Sequence, residues 1–386
     1  MHTSRLLWCW ARSLLAMGFV ACSSGDTVTS TSSTDAPTAP SRASDPPLGM
    51  PAGATTPIPD MPPHDWNVEV TKSVHDALLA DIDSMLAALK DIQAAAPTPA
   101  SRGWSAALDR AQLDDMRNAW LRARSAYERV EGAVAPRFPY IDAPLDARYD
   151  HFLSVLGPAG DADPFDGEGV TGMHAIERIL YAESTPQHVV AFEATLPGYR
   201  AARIPASADE ALAFKDGLCA RAIKDATLLR AQWDDAHLDA SIAFEGLVDL
   251  MIEQREKVNK ASSSEEESRY SQRTMADLRD NLDGTRRVYA LFSPWIRAHE
   301  DGTAVDESIF KGLDALGAQY MQVPTAAIPM PPSTWSAENP SAEDLASPFG
   351  VLFGAVQAAV DPNGKDNVTA NMTRAATMLG FVHEGE

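Results

Sequence analysis

The chain has 386 residues, with 54 Asp and Glu against 32 Lys and Arg and a formal net charge of −22. So acidic a surface repels a phosphate backbone; this excludes nonspecific nucleic-acid binding and leaves cations as natural partners of a salt-screened field. Of the three cysteines, Cys9 and Cys22 lie in the leading segment, so Cys219 has no partner for an internal disulfide. It sits in an apolar helical pattern and reads as a small buried hydrophobe.

In chain order, residues 1–22 read as an export signal. Arg5 and Arg12 supply positive charge, and the apolar run Leu14–Ala21 is too short to span a bilayer. Cys22 follows small Ala21, as in bacterial lipoprotein signals, which makes Cys22 the candidate lipidation site. Phe19 stands where Leu is usual, and cleavage of an ordinary signal near Ala21 is the alternative. Both readings place the mature protein outside the cytoplasm, in the periplasm or at the cell surface. Lipidation would hold it to a bacterial membrane. Residues 23–65 are rich in Ser, Thr, Pro and Ala and read as a disordered tether.

The remainder is all-α by pattern, with neither alternating strand runs nor a Gly-rich phosphate loop. Periodicity predicts a helix from Val68 to Ala95, ended by Pro97 and Pro99, and a second from Gln112 to Val134, stopped by Pro136 and Pro139. A loop region around Asp142-Ala143-Pro144 leads to a short helix from Ala147 to Leu156. Gly157 to Gly169 is a loop. Helices follow over Thr171–Ala182, Thr185–Leu196, Ser207–Asp234, Asp239–Ser262, Glu265–Phe292, Val305–Gln322, Ala342–Ala359 and Asn367–Leu379. Helices of this length with short connections form antiparallel bundles, and the size suggests two: residues 66–235 and 236–386. Ala119–Val134 echoes Leu278–Ile296, which fits either an internal duplication or chance similarity between helical segments.

The chemistry concentrates in Gly172-Met173-His174-Ala175-Ile176-Glu177. His174 and Glu177, three apart, project from one helix face and can share a cation. Glu128 and Glu131 repeat that spacing upstream, and Asp146 lies between the pairs. Singly, each has a blander reading: a solvated His–Glu face, or a surface salt bridge from Arg124 to Glu128. Together they can line one interior cleft of a bundle. Four ionised carboxylates around one divalent ion leave about two negative charges, costly without a further cation or protonation. Arg148, Arg124 and Arg178 are candidate counter-charges, and a trivalent ion or a second metal is an alternative. The triplet Glu265-Glu266-Glu267 after Ser262-Ser263-Ser264 reads as a helix N-terminus with acids on its dipole.

These residues together resemble the imelysin-like family, which includes the EfeO and EfeM components of bacterial iron uptake. Gly172, His174 and Glu177 match its Gly-x-His-x-x-Glu motif. Tyr127-Glu128-Arg129-Val130-Glu131 is similar to its Tyr-Glu-x-x-Glu stretch, and Asp146-Ala147-Arg148 to its Asp-x-Arg. Tyr270-Ser271 and Asn281-Leu282-Asp283-Gly284 resemble a downstream Tyr-Ser…Asn-x-x-Gly stretch. The resemblance implies a two-bundle helical protein whose metal site is Glu128, Glu131, Asp146, His174 and Glu177, with Arg148 behind them. The segment between Cys22 and Trp66 is too short and polar for the cupredoxin domain of some members, so the chain is closer to the EfeM form.

The expectation is an exported, lipid-anchored protein that captures a metal ion for uptake. Iron is favoured, with zinc or calcium as alternatives, and a membrane permease or a peroxidase-like protein would be the partner. The family's peptidase label gives a second reading, although the chain has no His-Glu-x-x-His and Arg178 stands where an inverted motif needs histidine. A non-catalytic surface scaffold is the third.

Overall fold

The computed structural model describes residues 64–235, 237–361 and 363–381, and these cohere as one compact unit. The signal, Cys22 and nearly all of the tether lie outside the described residues. Every regular element among those described is helical. None of these helices is long and apolar enough to cross a membrane.

α1 (Trp66–Ala95) begins where Asp65 accepts a hydrogen bond from the Val68 amide (3.3 Å). Its Val70, Val74, Leu78, Ile82, Met85, Leu89 and Ile92 form the buried stripe that the periodicity predicts. α1 packs against α2 (Arg110–Glu128) and α9 (Ala220–Asp234). A second group comprises α10 (Ala240–Lys260), α11 (Thr274–Arg297), α12 (Gly302–Tyr320), α14 (Pro348–Val360) and α15 (Val368–Met378), with α13 (Ala342–Ala346) against α14. The groups meet where α2 and the one-turn α3 (Glu131–Val134) lie against α11 and α10.

That junction is close because two places lack side chains. An added Cβ at Gly284 of α11 would strike the Arg129 backbone, and one at Gly246 of α10 would strike the Gly132 carbonyl. The chain turns at Arg129 and Val130, so the predicted helix over 112–134 is two pieces, with Glu128 ending one and Glu131 opening the next.

Three further differences have physical causes. The predicted loop before Asp146 contains α4 (Pro139–Asp146): Pro139 occupies the first turn, where its missing N–H costs nothing, and Pro144 is accommodated within. The helix expected over 207–234 is α8 (Ala208–Ala213) and α9 joined by a π-helical turn at Phe214–Cys219. Cys219 is buried there, as expected. The helix expected from Glu265 begins only at Thr274, because Glu266–Tyr270 are drawn into the interior; at its other end α11 continues through Pro294 to Arg297. Ser264 and Gln272 flank this buried segment with left-handed backbones, φ 63° and 55°.

Candidate metal centre

The centre is assembled where α6 (Gly172–Leu180) meets the end of α4. Gly172 adopts φ +84°, and a Cβ there would run into the carbonyl oxygens of Pro144 and Leu145. Thr171 Oγ1 donates to the Pro144 carbonyl at 3.0 Å. α2 fixes α6 at both ends: Trp120 Nε1 donates to the Met173 carbonyl (2.9 Å), and Arg117 Nε and Nη2 to the Leu180 carbonyl (3.0 and 2.9 Å). This docking sets His174 beside Asp146, the last residue of α4.

His174 is 1% exposed. Its Nδ1 lies 2.9 Å from Glu177 Oε2, the i,i+3 contact expected of the motif. Glu177 is fixed in turn through Oε1, which accepts from the Ser271 amide (2.8 Å) and hydroxyl (2.7 Å). The other ring nitrogen, Nε2, is 3.6 Å from Asp146 Oδ1 and has no hydrogen-bond partner. Asp146, His174 and Glu267 each offer a ligand atom, all within 4.8 Å of one another. Glu267 and His174 are buried, whereas the Asp146 side chain is 13% exposed, so the centre opens on the Asp146 side.

Glu128 and Glu131 adjoin this group but have protein partners. Buried Arg124 pairs with Glu128, Asp146 and Glu267, the last at 3.0 Å. Lys257 Nζ pairs with Glu131 (2.8 Å), Glu267 (3.0 Å) and Glu128 (3.5 Å). Asn281 Nδ2 donates to Glu128 Oε2 (2.6 Å) and Glu131 Oε2 (2.9 Å). The Arg124–Glu128 pair expected from the i,i+4 spacing therefore exists, but with neither partner exposed.

The electrostatics prepare two of the donors, His174 and Glu267, whereas burial, against the pull of Arg124, raises the Asp146 carboxyl well above its ordinary value. Burial, and then Arg124, push the His174 imidazolium well down from its ordinary value, so the ring is neutral at pH 7. Burial opposes the charge on Glu267, but Lys257 and then Arg124 overcome it and hold this carboxyl well below the usual range. Burial raises Glu177 to about 8 against the two bonds from Ser271. An ionised carboxylate, a neutral imidazole with one nitrogen unpartnered, and a partly open aspartate form a set that fits a borderline or hard cation with positions left for water. Glu177 stands behind the imidazole, where a carboxylate fixes the tautomer of a metal-bound histidine.

Of the residues singled out from the sequence, the structure brings Asp146 and His174 together as potential ligands, with Glu177 bonded to the ring. Glu128 and Glu131 lie in the adjoining ion-pair cluster. The Arg148 guanidinium is 4.0 Å from Asp150. Arg178, one turn after His174 on α6, pairs with Glu193 at 3.0 Å and stacks on Tyr149. Sequence reasoning missed Glu267, and the interior position of its segment corrects the helix-N-terminus reading. The Tyr270-Ser271 stretch three residues on was the available signal. Its two residues hold Glu193 and Glu177, and so anchor the turn that carries Glu267.

The sequence model of the imelysin (Peptidase M75) family matches residues 70–368. An "Efem/EfeO family lipoprotein" of Staphylococcus haemolyticus (strain JCSC1435) is 24% identical over 201 residues, 52% of this chain and 56% of that relative. The chain thus aligns with little more than half of the relative's length. The crystal structure of an imelysin-like protein from Psychrobacter arcticum 273-4 shares 14% identity, with a TM-score of 0.45, over 81% of this chain and 92% of that one.

Proposed function

The chain belongs to the imelysin family, and on that premise we propose that it is an exported protein, tethered through Cys22, that captures a metal cation for uptake. One observation carries the reading: a buried imidazole whose Nε2 lacks a hydrogen-bond partner sits beside two carboxylates within ligand distance. Uncompensated burial of a polar atom is costly, and a cation at that point would relieve it. Asp146, His174 and Glu267 are the ligands we propose. Glu177 and Ser271 orient the ring, and Arg124 and Arg148 moderate the negative charge. Iron is the proposed cargo, supported by kinship with the EfeM/EfeO-type relative; tethering is supported by that relative's being a lipoprotein.

The capture step is ligand exchange. The cation enters on the Asp146 side, sheds part of its water and meets a carboxylate already ionised at Glu267. Binding at Nε2 requires the ring hydrogen on Nδ1 and therefore an ionised Glu177, so the proton that burial holds on this carboxyl up to about 8 leaves as the cation binds and Oε2 then accepts from the ring. Release would follow protonation or docking of a membrane partner.

Titration with ferrous, ferric and zinc ions, comparing the unsubstituted protein with H174A and E267Q, tests the assignment. Tight binding lost in both variants is expected; equal binding by all three proteins would remove it. Assaying the metal-loaded protein for cleavage of a protein substrate would expose a peptidase instead.

A further inference from the structure

A second set of oxygens lies next to the proposed metal position. Glu131 Oε2 (2.8 Å), Glu267 Oε2 (3.0 Å), Asn281 Oδ1 (3.1 Å) and Glu128 Oε2 (3.5 Å) surround the Lys257 ammonium, which arrives from α10 and is 2% exposed. An ammonium has three donors and no acceptor, and here it meets only oxygens. Asn281 is locked by its own bonds to both glutamates, and its Oδ1 also accepts from Gln254 Nε2 at 3.2 Å. Glu267 is shared, standing beside His174 and Asp146 on one side and Lys257 on the other. Neighbouring cation positions joined through a carboxylate are how a helical bundle builds a two-metal centre.

We infer that the Lys257 ammonium occupies the second of two cation positions, and so fixes the capacity of the centre at one metal ion per chain. The inference deepens the reading above and rests on Asp146, His174 and Glu267 being the first position. Four oxygens with one tethered positive charge among them have no room for a hydrated divalent ion. Replacing the ammonium by an uncharged side chain of similar length leaves the oxygens and the negative charge, and a metal ion then satisfies both.

The test is manganese(II) titration of the unsubstituted protein, K257M and K257R, with thermal unfolding measured in chelator and in metal. Expected are one ion per chain for the unsubstituted protein and for K257R, which keeps the charge, and two for K257M. K257M should melt lower in chelator and recover with manganese. A K257M that folds equally well in chelator and takes one ion overturns the inference, as does an unsubstituted protein that takes two. If the unsubstituted protein takes none, the proposed function fails. Lys257 is then judged separately: one ion in K257M upholds its role, none overturns it. Should K257M not fold, the manganese-loaded unsubstituted protein decides by electron paramagnetic resonance. An isolated ion upholds the inference and an exchange-coupled pair overturns it.

Discussion

The two carboxylate cradles that share Glu267 are built from the same chemistry and end in different states. Around Lys257 the acids are neutralised from within, by an ammonium and an amide fixed at 2.6–3.5 Å. Around His174 they face a neutral ring with an unpartnered nitrogen and a partly open aspartate. The difference shows that a count of acidic residues does not locate a metal site. What locates it is a buried donor atom left without a protein partner beside carboxylates, as His174 Nε2 is. The Lys257 cradle is closed and satisfied from within, whereas the His174 cradle opens at Asp146, where a cation can enter.

The largest effect should come from removing the cation that borders both cradles. Arg124 faces Glu128, Asp146, Glu267 and, at 3.9 Å, Asp277, with no exposed surface of its own. Removing one partner of a buried ion pair costs about 3–5 kcal/mol. R124M is therefore expected to lose about that much stability in urea unfolding, metal-free. A loss under about 1 kcal/mol would show that the cluster relaxes without its cation.

Breaking the His174 side should cost binding more than fold. H174A removes the one nitrogen donor, and we expect affinity for a borderline cation to fall more than about 100-fold, with urea stability of the metal-free protein down by only about 1–3 kcal/mol, less than in R124M. Both are read by isothermal titration and chelator-treated unfolding. E177Q sharpens the contrast. Its amide can present N–H to Nδ1 and pull the ring into the tautomer with hydrogen on Nε2, so affinity should drop about 10–100-fold with the fold intact.

The sequence revealed these two sides unequally. His174 and Glu177 were legible because their spacing is local to one helix, and Gly172 because it stands where a loop enters that helix; its φ > 0 and its contact with α4 explain why the position is glycine. The helical stripes of α1 and α2 were legible for the same reason. Glu267 was not, because its meaning comes from Lys257 and Arg124, which reach it through tertiary packing, and local pattern favoured a helix start at the serine–glutamate run. α4 was hidden by its two prolines, read as breakers although one sits at the first turn. Asn281 and Gly284 show the gap most clearly. The motif drew attention to both, but only the packing of α11 on the Arg129 turn explains the glycine and only the amide's contacts with Glu128 and Glu131 explain the asparagine.

The smallest effect tests the support behind the ring. S271A leaves the Ser271 amide bond to Glu177 Oε1 and removes only the hydroxyl bond, for a cost of about 1 kcal/mol. Its signature is in pH. The Glu177 carboxyl is raised from 4.5 to about 8 in the folded protein. In the metal-free protein this group's contribution to stability is therefore complete below its unfolded value and is lost as pH rises through about 8. The hydroxyl bond lowers that pKa, so S271A should carry the loss to higher pH, while E177Q, which cannot titrate, should remove this part of the slope. Urea midpoints measured from acid to mildly alkaline pH in chelator would show it. Parallel curves for all three proteins would mean that Glu177 is ionised throughout, and that its contact with His174 is an ion-supported bond already set for a metal before any arrives.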